Sequence, residues 1–179
     1  LFEHDEIDND ILKNLDDFWG AYPKGVWPVT REQALIRLDE FVNGALKPFG
    51  PYEDAMLGKE WKLAHSVLSS SLNIGLLHPM EVVRAVEQAY IDGEAPINSV
   101  EGFIRQVIGW REYVWGLYWL WMPEYRSENF LEANRNIPPA FREQGSTEMS
   151  CIRGAMDHLH EYAYTHHIER LMLFGNLSL

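Results

Sequence analysis

One uninterrupted helical segment, residues 100–122, most constrains the fold of this chain. Apolar and aromatic residues fill most of its positions, and Pro123 ends it because proline cannot continue a helix. The preceding run Asn98-Ser99-Val100-Glu101 is a capping signal, with polar side chains followed by an acidic residue. A helix of this length must bury its apolar side against other elements, so the pattern predicts a helical domain.

Helix signals also precede this segment. Thr30 and Gln33 form a capping box at the start of a predicted helix. Apolar residues follow at helical spacing as far as Leu46. Pro48, with the Gly-Pro pair at 50–51, is predicted to stop this helix.

Further helices follow along the chain. Pro79 opens one that ends at Gly93. Ser146 or Thr147 is predicted to cap another, and a last helical stretch covers about 162–174. No segment alternates in the manner of a strand and no internal repeat is visible. The predicted fold class is therefore all-α, a compact helical bundle.

The chain divides at about residue 30. Residues 1–29 are acidic at first and then rich in aromatic residues, Gly and Pro, which predicts an irregular, linker-like segment lying on a core. Residues 30–179 carry the helix signals and form the predicted helical domain.

Charge and cysteine content exclude several classes of protein. The formal net charge of −12 argues against simple gripping of phosphates, although it leaves room for a local basic groove. No stretch of about 18 uncharged apolar residues occurs, so no membrane span is predicted. Cys151 is the single cysteine, which excludes an internal disulfide and suggests a reducing compartment, the cytoplasm.

Residues 65–73 concentrate small hydroxyl and amide side chains between apolar anchors. Hydroxyls and free backbone amides at a helix start suit a phosphate group. The same run is also typical of a serine-rich helix start that solvates its own backbone. Both interpretations remain open from the residues alone.

A second polar group interrupts the long helix. Arg111 and Glu112 are costly among apolar residues unless they are paired or turned outward. Gly109 weakens a helix by about 1 kcal/mol relative to Ala, which favours close approach of another group. A planar ligand over Trp110 would explain this pattern, and so would a helix crossing with an ordinary ion pair.

Four histidines occur within ten residues: His158, His160, His166 and His167. The His-Glu-x-x-His pattern of zinc hydrolases is absent, and one or two histidines per helix face are too few for a closed zinc site. Because histidine titrates near neutral pH, His166 or His167 could serve as a general acid or base.

Several long motifs occur in an order that resembles one known family. In chain order they are Trp27-Pro28-Val29-Thr30-Arg31-Glu32, Phe49-Gly50-Pro51-Tyr52-Glu53-Asp54-Ala55-Met56, His65-Ser66-x-Leu68-Ser69-x-x-Leu72-Asn73, Asn98-Ser99-Val100-Glu101-Gly102-Phe103-Ile104-Arg105-Gln106-x-Ile108-Gly109-Trp110-Arg111-Glu112, Met122-Pro123-Glu124-Tyr125 and Tyr162-Ala163-Tyr164-x-His166-His167-Ile168-x-Arg170-Leu171-Met172. Together they resemble the photolyase/cryptochrome family, in the branch of iron–sulfur bacterial cryptochromes and prokaryotic (6-4) photolyases.

The resemblance implies a piece of the helical FAD-binding domain of such proteins, incomplete at both ends. It implies that photoexcited, reduced FAD donates an electron to a UV lesion flipped out of duplex DNA. His166 and His167 are implied beside the lesion, where one of them shuttles a proton during splitting of a (6-4) adduct. The residues implied for FAD binding are Tyr52, His65, Ser66, Leu68, Ser69, Gln106, Trp110 and Arg111.

The resemblance also implies groups that this chain cannot supply alone. Cys151 is implied as one of four thiolate ligands of a 4Fe-4S cluster, and the other three cysteines are absent, so the cluster is expected only in a longer parent protein. An antenna chromophore is expected in an N-terminal α/β domain outside this chain. Glu143 stands where the resemblance would place a Trp, which argues against photoreduction through the usual aromatic relay.

Three functions remain open from the sequence. The first is a light-driven (6-4) lyase acting on UV-damaged DNA, the second a cryptochrome-type flavin photoreceptor, and the third a truncated helical scaffold that binds neither flavin nor DNA. The His166-His167 pair favours repair, whereas the net charge of −12 and Glu143 disfavour it. The parent protein is expected to be a monomer without a membrane segment, and this chain alone is expected to be inactive.

Overall fold

The computed structural model describes residues 1–15 and 18–178, and within them every regular element is helical. The predicted all-α class is therefore confirmed. None of the helices in these ranges combines the length and apolar character that a bilayer crossing requires. The α-helices are α1 Glu6–Lys13, α2 Arg31–Glu40, α3 Leu46–Tyr52, α4 Ser69–Asn73, α5 Pro79–Ile91, α6 Ile97–Trp121 and α7 Ser150–Tyr162. Two π-helical segments, Phe41–Ala45 and Glu169–Gly175, and two 3₁₀ segments, Glu124–Ser127 and Pro139–Phe141, accompany them.

The N-terminal segment contains a helix that was not predicted. Asp5 accepts hydrogen bonds from the backbone N–H groups of Ile7 and Asp8, and the Asp8 carboxylate accepts one from the Asp5 N–H. This capping box was present in the sequence as two acidic residues three positions apart. No residue of α1 is buried, so capping rather than packing holds it. Residues 16 and 17 of the linker-like segment, and residue 179, lie outside the described residues.

The main core lies where α2, α3, α5 and α6 meet. At its centre the Phe103 ring packs against Phe41 and Phe49, with ring centroids 4.6 and 5.5 Å apart. The buried residues of α6 end at Val107. Beyond that point its aromatic side chains face outward, and Trp115 and Trp119 are 64% and 68% exposed. Only the first half of α6 therefore contributes to this core.

The helix that begins at Arg31 passes through Pro48, so the predicted stop there is wrong. The π-helical segment Phe41–Ala45 joins α2 to α3, and the Leu46 N–H donates to the Phe41 carbonyl five residues earlier. Pro48 then lies in the first turn after this segment. A proline fits there because the change from π-helical to α-helical pairing interrupts the i→i−4 hydrogen bonds at this point, and Pro48 has no N–H to place among them.

A buried serine braces α3 against α6. Pro51 has no N–H to donate to the Lys47 carbonyl, and the Ser99 hydroxyl donates to that carbonyl instead, at 2.9 Å. The same hydroxyl oxygen accepts from the Gly50 N–H at 3.0 Å. A Cβ atom on Gly50 would lie 2.9 Å from the Ser99 N and Oγ atoms, so the close approach of the two helices requires glycine.

Two predicted helix caps are wrong. α6 begins at Ile97 with Pro96 as its N-cap and no side-chain cap, because the Ser99 hydroxyl is engaged by α3. α7 begins at Ser150, also without a side-chain cap. Thr147 instead accepts from the Met149 N–H at 3.2 Å, which shapes the turn before the helix.

The predicted helical stretch 162–174 is broken near its start. α7 ends at Tyr162, and Ala163 adopts the left-handed conformation with φ 51° and ψ 32°. The Trp27 indole N–H donates to the Tyr162 carbonyl at 2.8 Å, so the N-terminal segment satisfies this helix end. The break redirects the chain, and both His166 and His167 lie between α7 and the π-helical segment Glu169–Gly175.

Candidate functional site

A cavity of about 380 Å³ opens beside the core, where four separate stretches of chain converge. This volume is in the usual range for small-molecule sites. Eight of the ten residues predicted for ligand or lesion contacts line it: His65, Ser66, Leu68, Ser69, Gln106, Trp110, Arg111 and His167. The other lining residues are Phe49, Glu53, Asp54, Val67, Leu72, Phe103, Val107, Tyr164 and Arg170.

The serine-rich stretch forms one wall through a strained turn. Val67 is buried and has a φ of 57°, a conformation that is rare for a β-branched residue and costs about 1–3 kcal/mol. The buried Leu68 side chain belongs to the main core and holds this turn in place. The turn brings Ser66 and Ser69, on either side of it, to the cavity.

The hydroxyls of this wall do not cap the helix that follows. α4 begins at Ser69 with Leu68 as its N-cap, and no side chain caps it. Ser70 and Ser71 have buried hydroxyl oxygens without a hydrogen-bond partner among the described residues. Backbone solvation by the serine side chains, one of the two interpretations of this sequence run, is therefore not observed for α4.

The second wall is one face of α6. The Trp110 indole N–H donates to the Gln106 side-chain oxygen at 2.7 Å, one turn earlier on the helix. The Arg111 guanidinium donates to the Val107 carbonyl at 3.0 Å and remains partly buried at the cavity. Glu112 is exposed. The predicted free-energy cost of burying this charged pair is avoided, because Arg111 binds the backbone and Glu112 faces outward.

The third wall follows the break after α7. Tyr164 and Arg170 line the cavity together with His167, which is exposed. Burial raises the pKa of the Tyr164 phenol to about 12, so it stays protonated. The Arg170 guanidinium lies 5.9 Å from the centroid of the Tyr164 ring, a cation–π distance. This wall therefore contributes a cation, a neutral phenol and an accessible imidazole.

His166 points away from the cavity although it adjoins His167 in the chain. Its side chain is fully buried, and its ring stacks on His65. Burial is the main cause that lowers the pKa of His166 to about 4, while the nearby Glu169 carboxylate acts in the opposite direction. Burial, with His167 and Arg170 nearby, also lowers the pKa of His65 to about 4. Both rings are therefore neutral near pH 7.

Two predicted residues lie apart from the cavity. Tyr52 is at the end of α3, 59% exposed and not among the lining residues. Cys151 is exposed in the first turn of α7. Within the described part of the chain, no three His, Cys, Asp or Glu side chains are placed to hold a metal ion. The residues present therefore do not fit an iron–sulfur cluster.

Several lining residues carried no predicted role. Glu53 contributes a buried carboxylate oxygen that has no hydrogen-bond partner in the described residues. Tyr164 and Arg170 fell inside a motif that was noted, but their distance from the serine run in sequence hid their proximity to it. The left-handed residue Ala163 sets this proximity, and alanine gives no sequence signal for that conformation.

Comparison with known proteins assigns the chain to a family. No family model matches it. It is 42% identical, over 183 aligned residues that cover 100% of this chain, to a protein of Agrobacterium fabrum strain C58 named (6-4) photolyase. The chain belongs to the photolyase family. It spans 36% of the length of that photolyase.

A second similar protein covers a shorter stretch. It is an uncharacterized protein, R853, of Acanthamoeba polyphaga mimivirus, 43% identical over 68 residues, which make up 37% of this chain and 52% of the viral protein. The name of this protein states no activity. The placement in the photolyase family therefore rests on the Agrobacterium photolyase.

Proposed function

We propose that this chain forms the flavin-binding and lesion-facing part of a light-driven DNA-repair photolyase of the (6-4) type. The observation that supports it best is the cavity itself, because it assembles eight of the predicted contact residues from three distant stretches of chain. The similarity to a (6-4) photolyase over the whole chain supports the same reaction class. Bound FAD, when photoexcited in its reduced form, would supply the electron that splits the lesion.

The serine wall suits the diphosphate of FAD. Ser66 and Ser69 offer hydroxyl donors on either side of the Val67 turn. A residue of positive φ followed by a helical one turns successive N–H groups toward one side, an arrangement that binds anions. These N–H groups and the two hydroxyls fit an anionic ligand better than an apolar one.

The helical wall suits a planar, polar ring system. Gln106 and Trp110 are bonded to each other, so the indole is held along α6 beside the cavity. Arg111 adds a cation that cannot lose its proton under ordinary conditions. We assign Gln106, Trp110 and Arg111 to hold the remaining part of FAD, together with His65. Tyr52 has no contact with this cavity, and we leave it out of the proposed contacts.

The two adjacent histidines have different proposed roles. His167 faces the cavity and would transfer the proton between the lesion and the protein. His166 is buried and would support the cavity wall from behind. Arg170 and Arg111 at the cavity would pair with phosphate groups of damaged DNA. Two acidic residues, Glu53 and Asp54, line the same cavity, and the chain carries a formal net charge of −12. The parent protein would act as a cytoplasmic monomer.

The test is a light-dependent repair assay on the full-length, flavin-loaded parent protein. A DNA duplex with one (6-4) lesion should be restored under blue light by the unaltered protein. His167→Ala should abolish restoration while flavin absorption stays unchanged. His4→Ala, a histidine outside this cavity, is the matched control and should repair normally. Unchanged repair by His167→Ala would exclude its assigned role, and flavin-free parent protein would exclude FAD binding.

A flavin photoreceptor without repair activity is the second candidate. The observations that favour it are the negative charge of the chain and Glu143, which occupies the position expected for an electron-transferring Trp. The same assay separates the two functions. Photoreduction of the flavin without any restoration of lesion DNA would support the photoreceptor, and restoration would support the photolyase.

A further inference from the structure

A buried carboxylate joins two histidines behind the cavity. Glu169, on the π-helical segment, is 4% exposed, and its Oε1 lies 2.9 Å from the Nδ1 of His158 on α7. Its Oε2 lies 3.7 Å from the Nε2 of His166. An ionised carboxylate can only accept hydrogen bonds, so His158 is the donor through Nδ1–H. Glu169 thus holds the His158 ring by a hydrogen bond and lies close to the His166 ring without a hydrogen bond to it.

This arrangement continues to the cavity wall. His166 stacks on His65, with ring centroids 4.8 Å apart, and His65 lines the cavity. His167 follows His166 in the chain and lines the same cavity. A rotation of the His166 ring would therefore disturb His65 through the stack, and a displacement of the His166 backbone would also move His167.

Burial of the Glu169 carboxylate costs free energy, because the carboxylate loses its hydration. A carboxylate in the interior needs partners that compensate for lost hydration. Here it has one short hydrogen bond and one oxygen without a hydrogen-bond partner in the described residues. Outside the segment that carries Glu169, the titratable groups that act on the cluster are His158, His65 and Tyr164. Arg170 acts on it from the same π-helical segment. A carboxylate held in this way acts as a rigid fixing point for imidazoles.

We propose that Glu169 is a positioning residue: it anchors His158 by a hydrogen bond and lies 3.7 Å from the buried His166 ring. In this way it keeps His166 stacked on His65 and so keeps His167 at the cavity. The effect of this positioning on repair rests on the proposed function. The geometry of Glu169 and the histidines does not depend on it. Glu169 touches neither the cavity nor a ligand, and it acts only through the histidines.

The geometry is tested by ¹⁵N NMR of the histidine rings in this chain at pH 7, which reports tautomers directly. Unaltered protein should show His158 with its proton on Nδ1. His78 is an internal reference of the opposite tautomer, because its Nδ1 accepts from the Met80 N–H at 3.2 Å. Glu169→Met should shift the ring signals of His158 and His166 and leave those of His78 in place. Unchanged His158 and His166 signals would overturn the proposal.

The consequence is tested in the full-length, flavin-loaded parent protein. Glu169→Met should slow repair by about tenfold or more, which is less than the roughly 10⁴-fold loss when an orienting carboxylate contacts the catalytic histidine itself. FAD affinity should fall by a smaller factor than the repair rate, because Glu169 reaches the FAD-facing His65 only through His166. Glu169→Gln retains an acceptor oxygen for His158 and should recover part of the rate. Glu161→Gln is the matched control, because Glu161 pairs with Lys24 at the surface of α7.

The outcomes separate the two proposals. If the unaltered parent does not repair lesions, the proposed function fails, and the NMR result alone decides whether Glu169 holds the two rings. If the parent repairs lesions and Glu169→Met repairs them at the same rate, the positioning role is wrong. If Glu169→Met and Glu169→Gln both lose FAD together with repair, Glu169 only supports folding, and the positioning role is again wrong.

Discussion

The imidazole rings of His65 and His166 are stacked, with their centroids 4.8 Å apart and their planes inclined by only 15°. The two residues are 101 positions apart in the sequence, and of the two only His65 lines the cavity. Two imidazolium cations at this distance would repel each other in a site that burial has already made unfavourable for charge. The stack is therefore most stable while both rings are neutral.

The stack should make the stability of the chain depend on pH. The pKa of each ring is lowered to about 4, so between pH 7 and pH 4 the unfolded chain binds more protons than the native one. Stability should therefore be lower at pH 5 than at pH 7, by on the order of 2 kcal/mol for each of the two rings. Urea unfolding at pH 7 and pH 5 measures this difference.

His166→Phe keeps a ring in the stack and removes one titrating group, so its loss of stability between pH 7 and pH 5 should be smaller than in unaltered protein. His4→Phe makes the same substitution outside the stack and should leave the loss unchanged. An equal loss in the His166→Phe variant and the unaltered protein would contradict the buried, neutral stack.

Gly50→Ala should destabilise the chain by about 1–3 kcal/mol because its new Cβ would lie 2.9 Å from the Ser99 N and Oγ atoms. Chemical denaturation provides the measurement. Gly116→Ala is the matched control, since a Cβ there meets nothing within 4 Å and the site lies inside α6. It should raise stability by up to about 1 kcal/mol, and a similar gain at position 50 would show that α3 and α6 are not in close contact.

Ala163→Gly should stabilise the chain by about 0.5–1 kcal/mol, because the exposed Ala163 has a φ of 51° that glycine adopts without strain. The gain is measured as a shift of the thermal midpoint. Ala85→Gly, inside α5, makes the same change at ordinary helical geometry and should cost about 1 kcal/mol. Loss of stability at both positions would mean that α7 does not end at a left-handed residue.

Ser66→Ala should weaken FAD binding by the full-length parent protein by about tenfold or more, the usual cost of losing one hydrogen bond to a charged group. Fluorescence titration of the apoprotein with FAD gives the dissociation constants. Ser127→Ala, in the 3₁₀ segment Glu124–Ser127 and outside the cavity lining, should bind FAD normally. Equal affinity of all three proteins would remove Ser66 from the diphosphate site.

Helix-forming patterns and local motifs could be recognised from the sequence. The long helix, the Thr30 cap and the opening of α5 at Pro79 follow from short-range propensity, and the structure contains all three. The serine run and the residues around Trp110 were marked as unusual because polar groups interrupt apolar patterns. These features need only a few neighbouring residues to be visible.

The remaining features depend on contacts between distant residues. Ser99 has the chemistry of a cap, and only the missing donor of Pro51 on another helix explains its actual bonds. His166 and His167 are equivalent in the sequence, but the ring of His166 is buried against His65 and the ring of His167 is exposed. No local pattern distinguishes such cases, because the deciding atoms belong to other elements.

The π-helical segment Phe41–Ala45 has a consequence for chain length. This wide turn closes its hydrogen bond over five residues instead of four, so it accommodates one residue more than an α-helical turn would. Deleting one residue within it should therefore restore a regular helix and leave Phe49 and Gly50 facing α6. The helix from Arg31 to Tyr52 can thus change its length by one residue at this turn without loss of the cavity wall that Phe49 helps to form.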